Sequence, residues 1–531
     1  MVSTPIFYIN ASPHIGHLYT LVLSEYIKRA HLTNGNRTIL TSGTDEHGEK
    51  VFRAAEKKHM DIHPYIDAQA DVFKDLIHRY VIDVDYFIRT TQSSHLDMVN
   101  EIWNLLVQRG YIKKENYEGW YSVREETFYQ TRDLIEGQGG SYFTKEGDPV
   151  EKVVELNYML KAKDFIKNPA QFIEEASIFP SKKRNMLNEE NFRDVSISRP
   201  TSRVRWGVKI KSDPSCVAYV WFDALINYIT SLRELKLMDQ HYRMSHPTTM
   251  INVIGKDIIK FHSVMFPVLN RMAGMPFDQS VVCHDHWLHG GRKMSKSYGN
   301  VVDPFSLLQG DQAHEKLKLY FLVHGPYNFD IDFSEDQIEA TYHTFIDKIV
   351  NCYSRVFSAG FQKNVDYEHL ADEVELSADL KQLMAEVSEY HLKVADSVSL
   401  ENSPETVWNN LLHYFDHINN SITKLAPWTI KDSKQKTALV SVLVSALQYP
   451  LPFIYLFCPS YYKDLSAALM HESPLAAGEH GRVDDFIPAS LKEEDDFIKY
   501  WHVQKSKAKV IVDSGLHHRH MFLREKHSKQ E

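Results

Sequence analysis

Apolar and polar positions in the N-terminal part of the chain switch between two periods, short apolar runs of strand character and longer stretches where apolar residues return every three or four positions. Thr4-Pro5-Ile6-Phe7-Tyr8-Ile9-Asn10 predicts a strand ending in turn residues, and Leu18, Leu21, Val22, Glu25 and Ile27 predict the helix after it. Thr38-Ile39-Leu40-Thr41 predicts a second strand that feeds the loop Ser42–Gly48. This alternation continues to about residue 92 and fits the first half of a doubly wound, parallel-sheet (Rossmann-type) α/β domain. Ligands in such sheets bind at the carboxyl ends of the strands, so Asp45 is expected at the ligand-facing edge.

From about 93 to 218 the pattern turns irregular, with Gly137-Gln138-Gly139-Gly140, tyrosine-rich turns and charge runs. Regular signals return over 219–286, where Tyr219–Leu225 opens a second half of the sheet and Thr249–Ile254 predicts a buried strand ending at Gly255-Lys256-Asp257. A mixed segment occupies 287–346, and over 347–480 apolar residues recur at helical spacing, predicting an α-helical bundle. The tail, 481–531, is charged and ends in His517-His518-Arg519-His520 and Arg524-Glu525-Lys526-His527; it offers no chemistry beyond an electrostatic contact with a polyanion.

Composition narrows this picture. A length of 531 residues suits roughly three or four domains, and 43% hydrophobic residues can fill several cores. No run of about 18 uncharged apolar residues is read along the chain, so no membrane span is expected. Cys216, Cys283, Cys352 and Cys458 are too dispersed for a Cys-x-x-Cys metal site and point to a reducing compartment. The formal charge of −10 points away from nucleic acid, so any contact with it must come from local basic patches. Met1-Val2-Ser3 leads almost directly into the first strand, which implies either action at the place of synthesis or a mature form already relieved of a targeting segment.

Two short motifs carry the chemistry. His14-Ile15-Gly16-His17 falls at the first strand-to-helix turn: Gly16 allows close approach of a nucleotide, and the helix start offers unpaired N–H groups to phosphate. Far downstream, Lys293-Met294-Ser295-Lys296-Ser297 follows Gly290-Gly291 and brings Lys293, Ser295 and Lys296 on a donor-rich loop. His14, His17, Lys293 and Lys296 around one ATP triphosphate suit in-line attack at its α-phosphorus, with Mg²⁺ accompanying the nucleotide. Gly255 gives adenosine close approach, and the Asp257 carboxylate can accept from ribose hydroxyls; an ordinary helix N-cap is the alternative for Asp257. His284 and His286 would share one face of a strand, near His289, as metal ligands could, but nothing completes a donor set, and nucleotide-adjacent packing is the preferred account.

Taken with Gly-Thr-Asp-Glu-His-Gly at 43–48, Trp-Phe-Asp-Ala-Leu at 221–225 and Gly-Lys-Asp-Ile at 255–258, these motifs make the chain resemble the methionyl-tRNA synthetases, a family of class I aminoacyl-tRNA synthetases, from about Thr4 to Trp428. The resemblance implies a Rossmann catalytic domain in two halves, 1–92 and 219–286, split by a connective insertion at 93–218. It further implies a loop and stem-contact module at 287–346 and a helical anticodon-binding domain at 347–480. Zinc-bearing relatives place cysteine pairs where this chain reads Trp120-Tyr121-Ser122-Val123-Arg124-Glu125-Glu126-Thr127, so no structural zinc is expected.

By the same resemblance Ile6, Tyr8, Trp221, Ala224, Leu225, Tyr228 and His262 form a methionine pocket, with Asp45 on the α-ammonium group and the Tyr228 hydroxyl, held by His262, aimed at sulfur. The helical spacing of Trp221 and Tyr228 also allows them to be core aromatics. Asn351 and Arg355, at i and i+4, and Trp428 are the implied anticodon readers, against the alternative of an exposed helix pair and a core tryptophan. The implied activity is ATP-dependent ligation of L-methionine to tRNA(Met) by a monomeric enzyme. A catalytically silent RNA-binding paralogue is the alternative. Tyr117–Ser122 and Gly290–Lys293 resemble the mitochondrial branch, which implies the mitochondrial matrix, with bacterial cytoplasm as the alternative.

Overall fold

The computed structural model describes residues 1–122, 127–129, 131–137, 140–145, 147–275, 277–294, 299–363, 365 and 377–469. Val123–Glu126, Ser295, Lys296 and the 481–531 tail lie outside the described residues. The chain gathers into two units: Met1–Ser24, Ile39–Ser306 and Pro326–Asp330 form one, and Glu25–Thr38, Leu307–Gly325 and Ile331–Glu531 the other.

The first unit is built on a parallel sheet of seven strands among the described residues. Its order runs Ser177–Phe179, Asp278–His284, Thr249–Gly255, Val2–Ser3, Leu40–Asp45 and Tyr86–Arg89, with Phe7–Tyr8 also alongside Leu40–Asp45. The first strand is central, and the later strands add on both its sides, the doubly wound arrangement expected. Central strands such as Thr249–Gly255 read as nearly continuous apolar runs because helices cover both faces of a parallel sheet.

The single strand expected over Thr4–Ile9 is two short ones. Val2 pairs with both Ile251 and Leu40, but Pro5 has no N–H to give, and when pairing resumes at Phe7 and Tyr8 it is with Thr44 and Asp45 alone. The first strand thereby parts from Thr249–Gly255 at the carboxyl edge. This is the switch point of the sheet, where a crevice opens. Leu40–Asp45 runs further than the sequence indicated, so Asp45 ends a strand instead of sitting in a loop.

The irregular stretch contains an antiparallel ribbon of Ile112–Ser122 and Pro149–Leu160, in register from Ile112↔Leu160 to Tyr121↔Glu151. Trp120 lies 4.5 Å from the Tyr142 ring and donates to Thr131 Oγ1. Two of its pieces belong to the sheet and its core. Ser177–Phe179 forms the sheet's edge strand, and Met98, Ile102, Trp103 and Leu106 of helix Ser93–Gln108 enter the same core as Phe222, Leu225 and Ile226. A three-residue strand is too short to show a period, so periodicity could not reveal it.

The second unit is helical. Ala378–Ser397, Pro404–Leu425 and Ser433–Gln448 each start at a side-chain cap, Ser377, Ser403 and Asp432, which accept from the backbone N–H of Leu380, Thr406 and Gln435. Leu411, Phe415, Ile418 and Ile422 supply the buried stripe of the longest of these. Glu25, which falls within the apolar helical pattern, is buried here between Arg29 at 3.1 Å and Lys318 at 2.8 Å. One apolar stretch is longer than the sequence reading allowed: Ser433–Phe457 is long and apolar enough to cross a membrane. It consists of two helices that meet at Pro450, and 83% of its most apolar window is buried within the protein, the mark of core helices.

Candidate active site

A cavity of about 360 Å³ opens at the switch point. Ile6, Tyr8, His14, Gly16, His17, Asp45, Trp221, Ala224, Leu225, Tyr228, Gly255, Asp257 and His262 all line it, so both expected subsites share one space. Lys293 is not in its wall but reaches its edge through Asp257.

One end is the start of helix Ile15–Thr33. The His14 Nδ1 accepts from Gly16 N–H at 3.0 Å, and the His17 Nδ1 accepts from His14 N–H at 3.0 Å. This is the reciprocal logic of a capping box carried out by two imidazoles. An accepting Nδ1 carries no proton, so each ring bears its proton on Nε2. The helix start thus presents two imidazole N–H donors; the backbone N–H groups of its first turn are already taken, Ile15 by the Val302 carbonyl, Gly16 by His14 Nδ1, and His17 and Leu18 by the His14 carbonyl. The rings lie 3.9 Å apart between centroids, and a Cβ on residue 16 would come within 2.8 Å of the His14 ring, which requires Gly16 there.

The other end is apolar and aromatic. Helix Val220–Glu234 turns Trp221, Ala224, Leu225 and Tyr228 toward the cavity at i, i+3, i+4 and i+7. Trp221 stacks on Phe261 at 3.8 Å with 6° between the planes, and this fixes the wall. Phe261 was missed in the sequence; its signal was an aromatic directly before His262. The Tyr228 hydroxyl is 2.8 Å from His262 Nε2, while His262 Nδ1 is 3.1 Å from the Ile258 carbonyl. A carbonyl only accepts, so Nδ1 holds the His262 proton and Nε2 must accept from Tyr228. The expected donation from Tyr228 into the pocket is therefore not the arrangement found. Burial pushes His262 down to about 4, which keeps the ring neutral in this role.

Asp257 lies between these ends, in the turn Lys256–Ile258 that ends strand Thr249–Gly255. Its carboxylate meets His286 Nε2 at 3.2 Å and the Lys293 ammonium. Burial favours protonation of Asp257, but His286 and Lys293 outweigh it and hold the carboxyl well below its ordinary range. Lys293 is carried on a hairpin, Trp287–His289 with Arg292–Lys293, whose turn residues Gly290 and Gly291 both have positive φ, 64° and 71°.

The three late histidines do not converge on a common point. His284 ends its strand against Thr20 Oγ1 at 2.9 Å, His286 lies beyond the strand on Asp257, and His289 Nδ1 faces the Asn300 carbonyl at 2.9 Å. His284 and His286 nonetheless line the cavity, as does Lys50, whose ammonium stands 5.7 Å from the Tyr8 ring centroid. Lys50 follows the Gly43–Gly48 motif by only two residues, a cation the sequence reading passed over.

In the helical unit, Arg355 donates to Asn419 Oδ1 at 2.8 Å and to Thr423 Oγ1 at 3.4 Å. Asn351, one turn earlier, donates to Asp347 Oδ1 at 3.3 Å. Trp428 is 56% exposed on the short helix Pro427–Thr429, reached through Ala426 at φ 40°. An indole so exposed on a proline-stiffened turn is not a core residue.

Comparison with known proteins agrees with this geometry. Residues 1–357 match the family model described as tRNA synthetases class I (M). The probable mitochondrial methionine–tRNA ligase of Dictyostelium discoideum is 38% identical over 371 residues, 67% of this chain and 64% of that protein. The methionine–tRNA ligase of Rickettsia typhi is 30% identical over 472 residues, 86% of this chain and 90% of that one. A crystal structure of Mycobacterium tuberculosis methionyl-tRNA synthetase bound by methionyl-adenylate superposes with a TM-score of 0.76 at 27% identity, covering 90% of this chain and 96% of the other.

Proposed function

Because this chain belongs to the class I tRNA synthetase family that includes the methionine–tRNA ligases, we propose that it activates L-methionine with ATP to methionyl-adenylate and pyrophosphate, then transfers the methionyl group to the terminal ribose of tRNA(Met). The observation that carries this reading is the single cavity in which a two-imidazole helix start faces an aromatic chamber of amino-acid size.

Methionine enters with its thioether between Trp221 and Tyr228, beside Ile6, Ala224, Leu225 and His262, and its ammonium group on Asp45 at the end of strand Leu40–Asp45. With the Tyr228 proton given to His262, selection of the thioether rests on shape and on contact with the rings. ATP lies across Gly16 and Gly255, its ribose on Asp257, and Mg²⁺ enters with the triphosphate. The methionine carboxylate is the nucleophile. It bonds to the α-phosphorus while the bond to the bridging oxygen breaks and pyrophosphate leaves with the electron pair, so no general base is needed. His14 and His17 donate Nε2–H to phosphoryl oxygens whose charge grows in the transition state, and Lys293, Ser295 and Lys296 act on the departing pyrophosphate. A ribose hydroxyl of tRNA then attacks the carbonyl carbon and AMP leaves.

Asn351, Arg355 and Trp428 read the anticodon, Trp428 by stacking on an unpaired base. We further assign the 93–218 stretch as a zinc-free insertion, 287–346 as the stem-contact module, and the protein to the mitochondrial matrix as a monomer; relatives in both mitochondria and Rickettsia are compatible with that compartment. Methionine-dependent exchange of pyrophosphate into ATP tests the central proposal. Exchange that needs methionine and no other amino acid supports it, while a folded protein without exchange is the silent paralogue.

A further inference from the structure

Helix Val220–Glu234 has a second face. Asp223 points away from the cavity and is 1% exposed. Its Oδ2 accepts from His47 Nδ1 at 2.7 Å, and its Oδ1 accepts from His95 Nε2 at 2.8 Å. His47 stands two residues past Asp45, and His95 is in the first turn of helix Ser93–Gln108. The other His95 nitrogen meets Thr230 Oγ1 at 2.9 Å, so this imidazole grips the Asp223 helix at two levels. Burial raises the Asp223 pKa, but the two imidazoles more than offset this and hold it at about 2, so the group is a carboxylate. A buried carboxylate with both oxygens committed is a two-point clamp, costly to leave unpaired.

The clamp joins the parts of the cavity wall that must agree in spacing. Asp45 belongs to the element His47 extends, and Trp221 and Ala224 flank Asp223 on its own helix. The distance between the ammonium anchor and the aromatic wall decides which amino acid spans them. We propose that Asp223 is a positioning residue for amino-acid selection, setting that distance through His47 while His95 fixes its own rotamer. This rests on the reading of the cavity as an amino-acid-activating site.

Asp223→Asn keeps the size of the side chain but removes its charge and turns one acceptor into a donor, which the facing imidazole can meet only by moving its proton to its other nitrogen, so the clamp loses a charge-assisted bond and must rearrange. In pyrophosphate exchange the methionine KM is expected to rise about 10-fold or more while the ATP KM stays within about twofold, since a shift of an ångström or less in a reacting pair is costly. Discrimination against norleucine should fall with it. His95→Gln, whose hydrogen-bond partners Asp223 and Thr230 do not line the cavity, should give a smaller rise of the same kind, and the double variant should fall short of the product of the two. Equal rises in both KM values, or an unchanged methionine KM in folded protein, overturn the proposal. Should Asp223→Asn not fold, His95→Gln decides: a methionine-selective KM rise supports the clamp, and no rise overturns it. A wild-type chain without methionine-dependent exchange sinks the activity reading itself; an active wild type with an indifferent Asp223→Asn sinks only this inference.

Discussion

In the sheet unit every imidazole lining the cavity has a partner on at least one ring nitrogen: His14 and His17 accept backbone N–H groups, His262 and His284 face carbonyls, and His286 meets Asp257. In the helical unit His391 is buried against Tyr449 and Phe453 with no hydrogen-bond partner for either nitrogen among the described residues. The same side chain is thus an oriented tool in one region and an unpaid cost in the other. The functional candidates divide in the same way. Tyr228 and His262 of the sheet unit are enclosed and fixed by each other, whereas Trp428 of the helical unit is 56% exposed.

The sharpest way to break the contrast is at the helix start. His17→Ala removes one Nε2–H donor and one half of the imidazole cap, and exchange should slow by about 100- to 1,000-fold with little change in methionine KM. A loss confined to KM would show that the ring only binds ATP in its ground state. Next in size, Trp221→Ala should raise the methionine KM roughly 10- to 100-fold and admit norvaline, because small differences in an apolar pocket are worth about 1–3 kcal/mol. Unaltered discrimination would return Trp221 to the status of a core ring stacked on Phe261.

On the exposed side, Trp428→Ala should lower tRNA charging by roughly 10- to 100-fold, from about 1–3 kcal/mol of stacking, without changing pyrophosphate exchange. Parallel loss in both assays would mean that the indole supports the fold. The smallest effect concerns stability. Burial holds His391 at about 4, below its ordinary value of 6.5. Above pH 6.5 both folded and unfolded chains carry it neutral; as pH falls from there toward 4 only the unfolded chain takes the proton, so stability is lost in that window. His391→Leu should therefore gain about 2 kcal/mol more at pH 5 than at pH 8, read by urea unfolding of the two proteins at both values. Equal differences at the two pH values would place a partner on that ring.

Gly16, Gly255 and Asp257 were legible from local signals, glycines in turns and an acid at a strand terminus, whereas the aromatic wall was implied by the family resemblance, since the helical spacing of Trp221 and Tyr228 suited core residues equally well. The break at Pro5 was missed, because the apolar run around it concealed a residue that has no N–H to give to a central strand. What could not be read were pairings between distant segments. Nothing in the spacing of His47, His95 and Asp223 says that they meet. The one available hint was an acid inside the apolar run Val220–Ile229, which must be satisfied from somewhere if the whole helix is buried. The direction of the Tyr228 proton was likewise out of reach, because it depends on which His262 nitrogen finds the Ile258 carbonyl.

Helix Val220–Glu234 has a consequence for how this chain can drift over generations. From Phe222 to Leu232 every residue is buried, with one side committed to the cavity and the other to the clamp and the core. Most helices leave a solvent face on which substitutions accumulate harmlessly, and this one has none along those turns. In a library carrying every single substitution, it should be the segment where survivors are rarest. Any change tolerated there should travel with a compensating change in Gly43–Gly48, Ser93–Gln108 or Phe261–Met265, elements that share its buried polar contacts.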